Sequence, residues 1–146
     1  MKKEIEEFVG SKRFAVVGVS RNPRKFGNTI YRELKNRGYE VYGVNPSLSE
    51  IDGDKCYPDL SALKGRVDAA VVCITPNRVE STLRDAAEAE VRHVWLQQGA
   101  ESAEAVKVGQ SLGITIVAGR CILMYAEPVR SFHAFHRFFV RVVGRY

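Results

Sequence analysis

The residues from Gly18 to Lys25, Gly-Val-Ser-Arg-Asn-Pro-Arg-Lys, combine a glycine, a hydroxyl and three cations in one loop. The run before them, Phe14–Val17, reads as a strand buried on both faces. Gly18 marks a sharp turn where something can approach the backbone closely. Beyond the loop, Asn28 is placed to cap a helix, whose N–H groups and dipole favour an anion. Strand, glycine turn and helix start together make a phosphate-binding device. Arg21, Arg24 and Lys25 put positive charge where that phosphate would sit.

The chain halts as abruptly at Asn45-Pro46, Thr75-Pro76 and Gln98-Gly99. Each stop follows a run that reads as a strand: Tyr39–Val44, Ala69–Ile74 and His93–Gln97, with a fifth at Ile114–Val117. Proline cannot continue a central strand, so each X-Pro stop either ends its strand or borders a ligand. Helices fall between them. A short one leads over Ile5–Ser11, and another spans Asn28–Asn36. A third opens on Asn77 with Glu80 as a capping box, and Ser102–Leu112 turns Ala103, Val106 and Leu112 inward. Residues 47–65 read as turns, with a short extended piece at Lys55-Cys56-Tyr57 and a covering turn at Leu60 and Leu63. Strands alternating with helices imply right-handed crossovers and an α/β, Rossmann-like, doubly wound parallel sheet of five strands in order 3-2-1-4-5. Such sheets bind ligands outside the carboxyl ends of their strands, so the four stops converge on one crevice.

With 146 residues, 45% of them hydrophobic and 27% charged, the chain is expected to form a single domain, 1–146, around a sizeable core. No run approaches the roughly 18 apolar residues of a membrane span, and Met1-Lys2-Lys3-Glu4 lacks the apolar core of a signal peptide, which points to the cytoplasm. Cys56, Cys73 and Cys121 suggest neither a disulfide framework nor a zinc cluster. Cys73 reads as core. Cys121 reads as an inert thiol near the crevice mouth, with exchange against a ligand thiol as the alternative. The net charge of +5 has a local source, since Arg120, Arg130, Arg137, Arg141 and Arg145 face only Glu127 in the tail. Val129, Phe132, Phe135 or His136, Phe139, and Val142 or Val143 recur there at helical spacing, so a C-terminal amphipathic helix is expected. It suits packing across the sheet, against a second copy as a homodimer, or against a protein partner. An anionic membrane or nucleic acid is the other surface such a helix can meet; the chain as a whole reads as having no nucleic-acid partner and no membrane span. His133 and His136 are three apart without an evident third ligand, so no metal is expected.

The dinucleotide fingerprint is G-x-G-x-x-G, with an acid about 20 residues on for the ribose 2′-hydroxyl. Here Ser20 replaces the second glycine, the next glycine is Gly27, and Asn45-Pro46 stands where the acid would be. NAD is disfavoured; NADP stays open, because Arg21, Arg24 or Lys25 can meet a 2′-phosphate. Six pieces in order carry a resemblance: Val17-Gly18-Val19-Ser20, Gly43-Val44-Asn45-Pro46, Gly53-x-Lys55-Cys56-Tyr57-Pro58, Thr75-Pro76, Val94-Trp95-Leu96-Gln97-Gln98-Gly99 and Gly119-Arg120-Cys121. Over residues 13 to about 128 the chain resembles the small stand-alone CoA-binding proteins, relatives of the nucleotide-binding domain of the succinyl-CoA synthetase α subunit.

That resemblance implies a Rossmann-like domain that binds coenzyme A, often with no demonstrated reaction. It implies that Gly18, Val19 and Ser20 contact the pyrophosphate, and that Arg21, Arg24 or Lys25 neutralise the phosphates, the ribose 3′-phosphate included. Asn45 and Pro46 would border the adenosine, Ile74, Thr75 and Pro76 would line the ligand's path, and Gln98 and Gly99 would close the crevice. No Ser-His-Asp order and no paired carboxylates map to the strand ends, and the chain has no counterpart of the synthetase's second domain with its phosphorylatable histidine. The expected function is binding of coenzyme A or an acyl-CoA without autonomous catalysis. The alternatives are an NAD(P)-binding oxidoreductase or redox sensor on the same fold, and a transcriptional or assembly partner acting through the basic tail.

Overall fold

The computed structural model describes residues 2–126; the expected C-terminal helix, with His133 and His136, lies outside them. Helix α1 (Lys2–Val9) precedes β1 (Arg13–Val17), α2 (Phe26–Asn36) and β2 (Glu40–Val44). Two short strands follow, β3 (Glu50–Ile51) and β4 (Asp54–Tyr57). The remainder runs β5 (Ala69–Val72), α3 (Val79–Glu88), β6 (His93–Leu96), α4 (Ala103–Ser111) and β7 (Thr115–Ala118). Single 3-10 turns stand at Leu60–Leu63, Pro76–Arg78 and Ile122–Met124.

These strands make one seven-stranded sheet in the order β3-β4-β2-β1-β5-β6-β7. Every pairing is parallel except β3 with β4, a hairpin turned by Asp52 and Gly53 at φ 50° and 85°. The doubly wound α/β architecture is the one expected, with two corrections. There are seven strands rather than five. And the run counted as the third strand, Ala69–Ile74, forms β5 only over Ala69–Val72 and lies on the far side of β1, with Val16 opposite Val71. The place beside β2 belongs to β4. For the five expected runs the order is therefore 2-1-3-4-5 rather than 3-2-1-4-5, with β4 as an additional parallel strand beside β2. β4 meets β2 through only two registered pairs, Gly43 with Cys56 and Val44 with Tyr57. So short a piece has no room for a periodic pattern, and burial of Cys56 and Tyr57 recruits it instead.

The β1 and β5 runs are apolar throughout because both faces are covered. Phe14, Val16, Val71 and Trp95 pack on one side with Phe8 of α1 and Ile30, Tyr31 and Leu34 of α2. Ala15, Val17, Val72 and Leu96 pack on the other with Leu83 and Ala86 of α3 and Ala105 of α4. Within α4 Ala105 and Gly109 are buried and the C-cap Leu112 packs on the core as expected, whereas Ala103 is exposed: Ser102 caps the helix by accepting from the Ala105 N–H, and this sets its phase. The capping box expected at Asn77 does not form. Pro76 starts a 3-10 turn first, Asn77 Oδ1 accepts from the Thr75 hydroxyl, and Glu80 pairs with Arg84. Strand β1 feeds β2 on one side, while β5 sits on its other side, so the sheet's switch point lies between the ends of β1 and β5.

Candidate functional site

Gly18 stands at that switch point with φ 117°, and a Cβ there would lie 2.1 Å from the Cys73 carbonyl oxygen. No other residue type fits so close to the end of β5. The backbone of β1 continues into the turn with the Gly18 N–H donating to Val44 O at 3.2 Å and the Cys73 N–H to Val17 O at 2.8 Å. Gly27 repeats the constraint from the helix side, since a Cβ there would meet the Gly18 carbonyl oxygen at 2.3 Å. Two glycines thus let α2 begin directly against the turn.

Two asparagines then fix the turn. Asn28, only 2% exposed, accepts from the Ser20 N–H at 2.7 Å and donates to the Ser20 carbonyl at 2.8 Å. This corrects its expected role as a cap: α2 starts two residues earlier, at Phe26, and the cap position, Lys25, makes no side-chain cap bond. The amide of Asn45 donates to the Val19 carbonyl at 2.7 Å and its Oδ1 accepts from the Ser47 N–H at 2.7 Å. Val19 itself points into the core against Gly43, so its side chain is a packing group and only its backbone faces the turn. Asn22 completes the loop by donating its N–H to Ser20 Oγ and accepting from the Arg24 N–H. The loop's shape is set by these neutral groups and by Arg32, which donates to the Pro23 carbonyl at 2.9 Å, and the loop's own cations are left over.

Two adjoining cavities open at the strand ends. One, of about 290 Å³, is lined by Val17, Val44, Pro46, Pro58, Asp59, Leu60, Ser81, Thr82 and Asp85. The other, of about 400 Å³, is lined by Val19, Ser20, Lys25, Cys73, Thr75, Gln98 and Gly99. Gly18, Asn45, Ile74 and Arg78 line both, so the two form one crevice across the switch point. Of the residues singled out in the sequence, Gly18, Val19, Ser20, Lys25, Asn45, Pro46, Ile74, Thr75, Gln98 and Gly99 come together here. Arg21, Arg24 and Pro76 do not; they stand exposed outside the lining. Gly99 closes its side at φ 96° with its N–H donating to Glu101 at 3.1 Å, and the buried Gln97 beside it holds the Ile122 N–H.

The α3 wall escaped the sequence reading. Arg78, Ser81, Thr82 and Asp85 recur at i, i+3, i+4 and i+7, a polar stripe beginning just after Thr75-Pro76, and helical phase alone aims it at the strand ends. Asp85 is partly buried; burial pushes its carboxyl above the ordinary range, and Asp59 and Glu88 push the same way. Cys73, expected in the core, is half-buried and lines the crevice because β5 ends at Val72. Its thiol is pushed up by burial and then by nearby Cys121, so it is held as the protonated thiol. Among the described residues no group of three His, Cys, Asp or Glu is placed to hold a metal. None of their helices is long and apolar enough to cross a membrane.

The chain is 30% identical over 122 residues to the uncharacterized protein YneT of Bacillus subtilis, covering 83% of this chain and 90% of that one. It is 28% identical over 129 residues to the α subunit of an ADP-forming acetate–CoA ligase II of Pyrococcus furiosus, but spans only 28% of that subunit. Among solved structures, a conserved hypothetical protein from Pyrococcus furiosus superimposes with a TM-score of 0.73 at 38% identity, over 77% of this chain and 97% of that one. A hypothetical protein from Pyrococcus horikoshii gives 0.78 at 30% identity, over 84% and 87%. The model of the CoA binding domain matches residues 12–127, from just before β1 to just past the last 3-10 turn, and the chain belongs to that family.

Proposed function

We propose that the crevice binds coenzyme A or an acyl-CoA, and that the chain performs no reaction on its own. One observation carries the reading. The Gly18–Ser20 turn, the uncapped start of α2 and Lys25 face a single crevice at the switch point, with the turn's carbonyls already engaged by Asn28 and Asn45. The Gly18 and Ser20 N–H groups are spent on Val44 O and Asn28 Oδ1, so what the site offers a ligand is the dipole at the uncapped start of α2 and the charge of Lys25, which suits phosphate. Asn45 also weighs against NAD: no carboxylate ends β2, and the amide there is spent on Val19 and Ser47. Of the basic loop residues, Lys25 is the phosphate ligand nearest the turn, and Arg21 and Arg24 reach the outer 3′-phosphate. The protein works in the cytoplasm, and its basic aromatic tail meets a second copy or a protein partner.

Native mass spectrometry of the purified protein, followed by calorimetric titration with CoA and NADP, tests this. Copurified or tightly bound CoA is expected. Binding of NADP without CoA overturns the reading and turns the site into an oxidoreductase or redox sensor. The double variant R24E/K25E is expected to weaken CoA more than dephospho-CoA, and equal loss removes the 3′-phosphate role.

A further inference from the structure

Arg78 occupies the junction of the two cavities, on the wall opposite the Gly18 turn and Lys25. Its backbone is fixed from both sides: its N–H donates to Thr75 O at 3.0 Å, and its carbonyl accepts from Ser81 Oγ at 3.2 Å and Thr82 Oγ1 at 3.3 Å. The guanidinium, by contrast, has no carboxylate within ion-pair distance among the described residues. Outside the phosphate loop several cations are spent, as in Arg13–Asp68, Arg32–Asp52, Arg37–Glu33 and Lys64–Glu90, and in α3 itself Arg84–Glu80. Nor does Arg78 serve the acidic end of the crevice. Asp59 accepts from the Ala62 N–H, and Asp85 is raised by burial and like charges with no described cation opposing them. An anchored arginine at the centre of a ligand-sized crevice, without an acid to neutralise it, is set up for an anion that arrives with the ligand.

We propose that Arg78 grips the ligand's pyrophosphate from the α3 side, so that the diphosphate lies between its guanidinium and the Gly18–Ser20 turn with Lys25. This rests on the reading that the crevice binds a CoA-type nucleotide. Placement at the cavity junction, beside Gly18 and Ile74, assigns Arg78 to the diphosphate. The outer 3′-phosphate falls to Arg21 and Arg24. A planar, two-pronged donor matches phosphate oxygens as a lysine cannot.

The test is calorimetric titration of wild type, Arg78→Gln and Arg78→Lys with CoA and with dephospho-CoA, each variant first checked for an unchanged thermal melt. Because Arg78 is exposed and its guanidinium makes no hydrogen bond or ion pair among the described residues, the variants are expected to fold normally. Arg78→Gln is expected to weaken CoA and dephospho-CoA by the same factor, about 10- to 100-fold for the loss of a charge-assisted bond. Arg78→Lys is expected to recover only part. Unchanged affinity, or a loss confined to CoA, overturns the assignment while leaving the CoA site standing. Wild type that binds neither compound sinks the CoA reading itself, and the Arg78 assignment with it.

Discussion

Replacing Asn28 tests whether the phosphate turn is built before the ligand arrives. Its side chain is 2% exposed and makes two bonds to one peptide, at 2.7 Å from the Ser20 N–H and 2.8 Å to the Ser20 carbonyl. Asn28→Ala removes both and leaves a donor and an acceptor unpaired in a partly buried turn. Each such bond contributes about 0.5–1.5 kcal/mol net, and each orphaned group costs about 1–3 kcal/mol where water cannot replace the partner. A total loss of about 2–4 kcal/mol follows, a fall in melting temperature of about 4–16 °C for a domain of this size. CoA affinity measured well below the melt should fall by at least about tenfold, because the turn must then be ordered at the expense of binding. Asn28→Asp separates shape from charge. It keeps the acceptor for Ser20 N–H but points an oxygen at the Ser20 carbonyl and puts an anion behind the phosphate turn. Its affinity loss should exceed that of Asn28→Ala at low salt and shrink as salt is added. Urea unfolding and calorimetry read both quantities. An Asn28→Ala protein within about 0.5 kcal/mol of wild type and with unaltered CoA affinity would refute the reasoning.

Gly18→Ala should destabilise by about 2–5 kcal/mol, since the new methyl would lie 2.1 Å from Cys73 O at φ 117°; a wild-type urea midpoint would contradict the geometry. Asp68 is held below the ordinary carboxylate range by its hydrogen bond from Arg13. A depressed carboxyl stabilises the fold above its unfolded pKa and loses that contribution as pH falls through the folded one. Asp68→Asn should therefore lower the urea midpoint at neutral pH and match wild type in strong acid; a gap that persists in acid assigns the loss to packing. Asp85 runs the other way, because burial raises its carboxyl. Its ionised form burdens the fold above the ordinary carboxylate range, so Asp85→Asn should raise the melting temperature at neutral pH, with the gain vanishing on acidification. A melt unmoved at neutral pH would show that the carboxylate is not strained there.

The sequence shows the sheet well where strands are buried on both faces. Phe14–Val17 and Ala69–Val72 are unbroken apolar runs because each has a helix layer above and below. It shows β4 poorly, since Asp54–Tyr57 has two exposed residues followed by two buried ones, with no alternation, and owes its place to pairing with Gly43 and Val44. The crevice floor was legible through its stops, as Gly18, Asn45-Pro46 and Gln98-Gly99 are local turn signals. The wall was not. Arg78 and Asp85 carry no motif, and only the phase of a helix beginning at Val79, set by Pro76 rather than Asn77, brings them to the strand ends. Asn28 was found for the wrong reason. An asparagine near a helix start reads as a cap, whereas a buried one inside the first turn grips a peptide eight residues back.

The departures from the dinucleotide fingerprint acquire a physical meaning once these contacts are placed. In G-x-G-x-x-G the second glycine admits the pyrophosphate and the third lets the helix pack closely on the strand. Here the packing task falls to Gly27, whose missing side chain makes room for the Gly18 carbonyl. The start of α2 thus reaches the turn although the loop between is longer. Ser20 stands where glycine is usual, and its peptide is held by Asn28, which is not part of the crevice lining that Ser20 and Lys25 share. The extra residues do not displace the helix; they are closed on themselves by Asn22, through Ser20 Oγ and the Arg24 N–H. Arg21 and Arg24 are carried outward by that closure while Lys25 remains on the crevice. A lengthened loop therefore changes which charges surround the ligand without moving the turn that receives its phosphate.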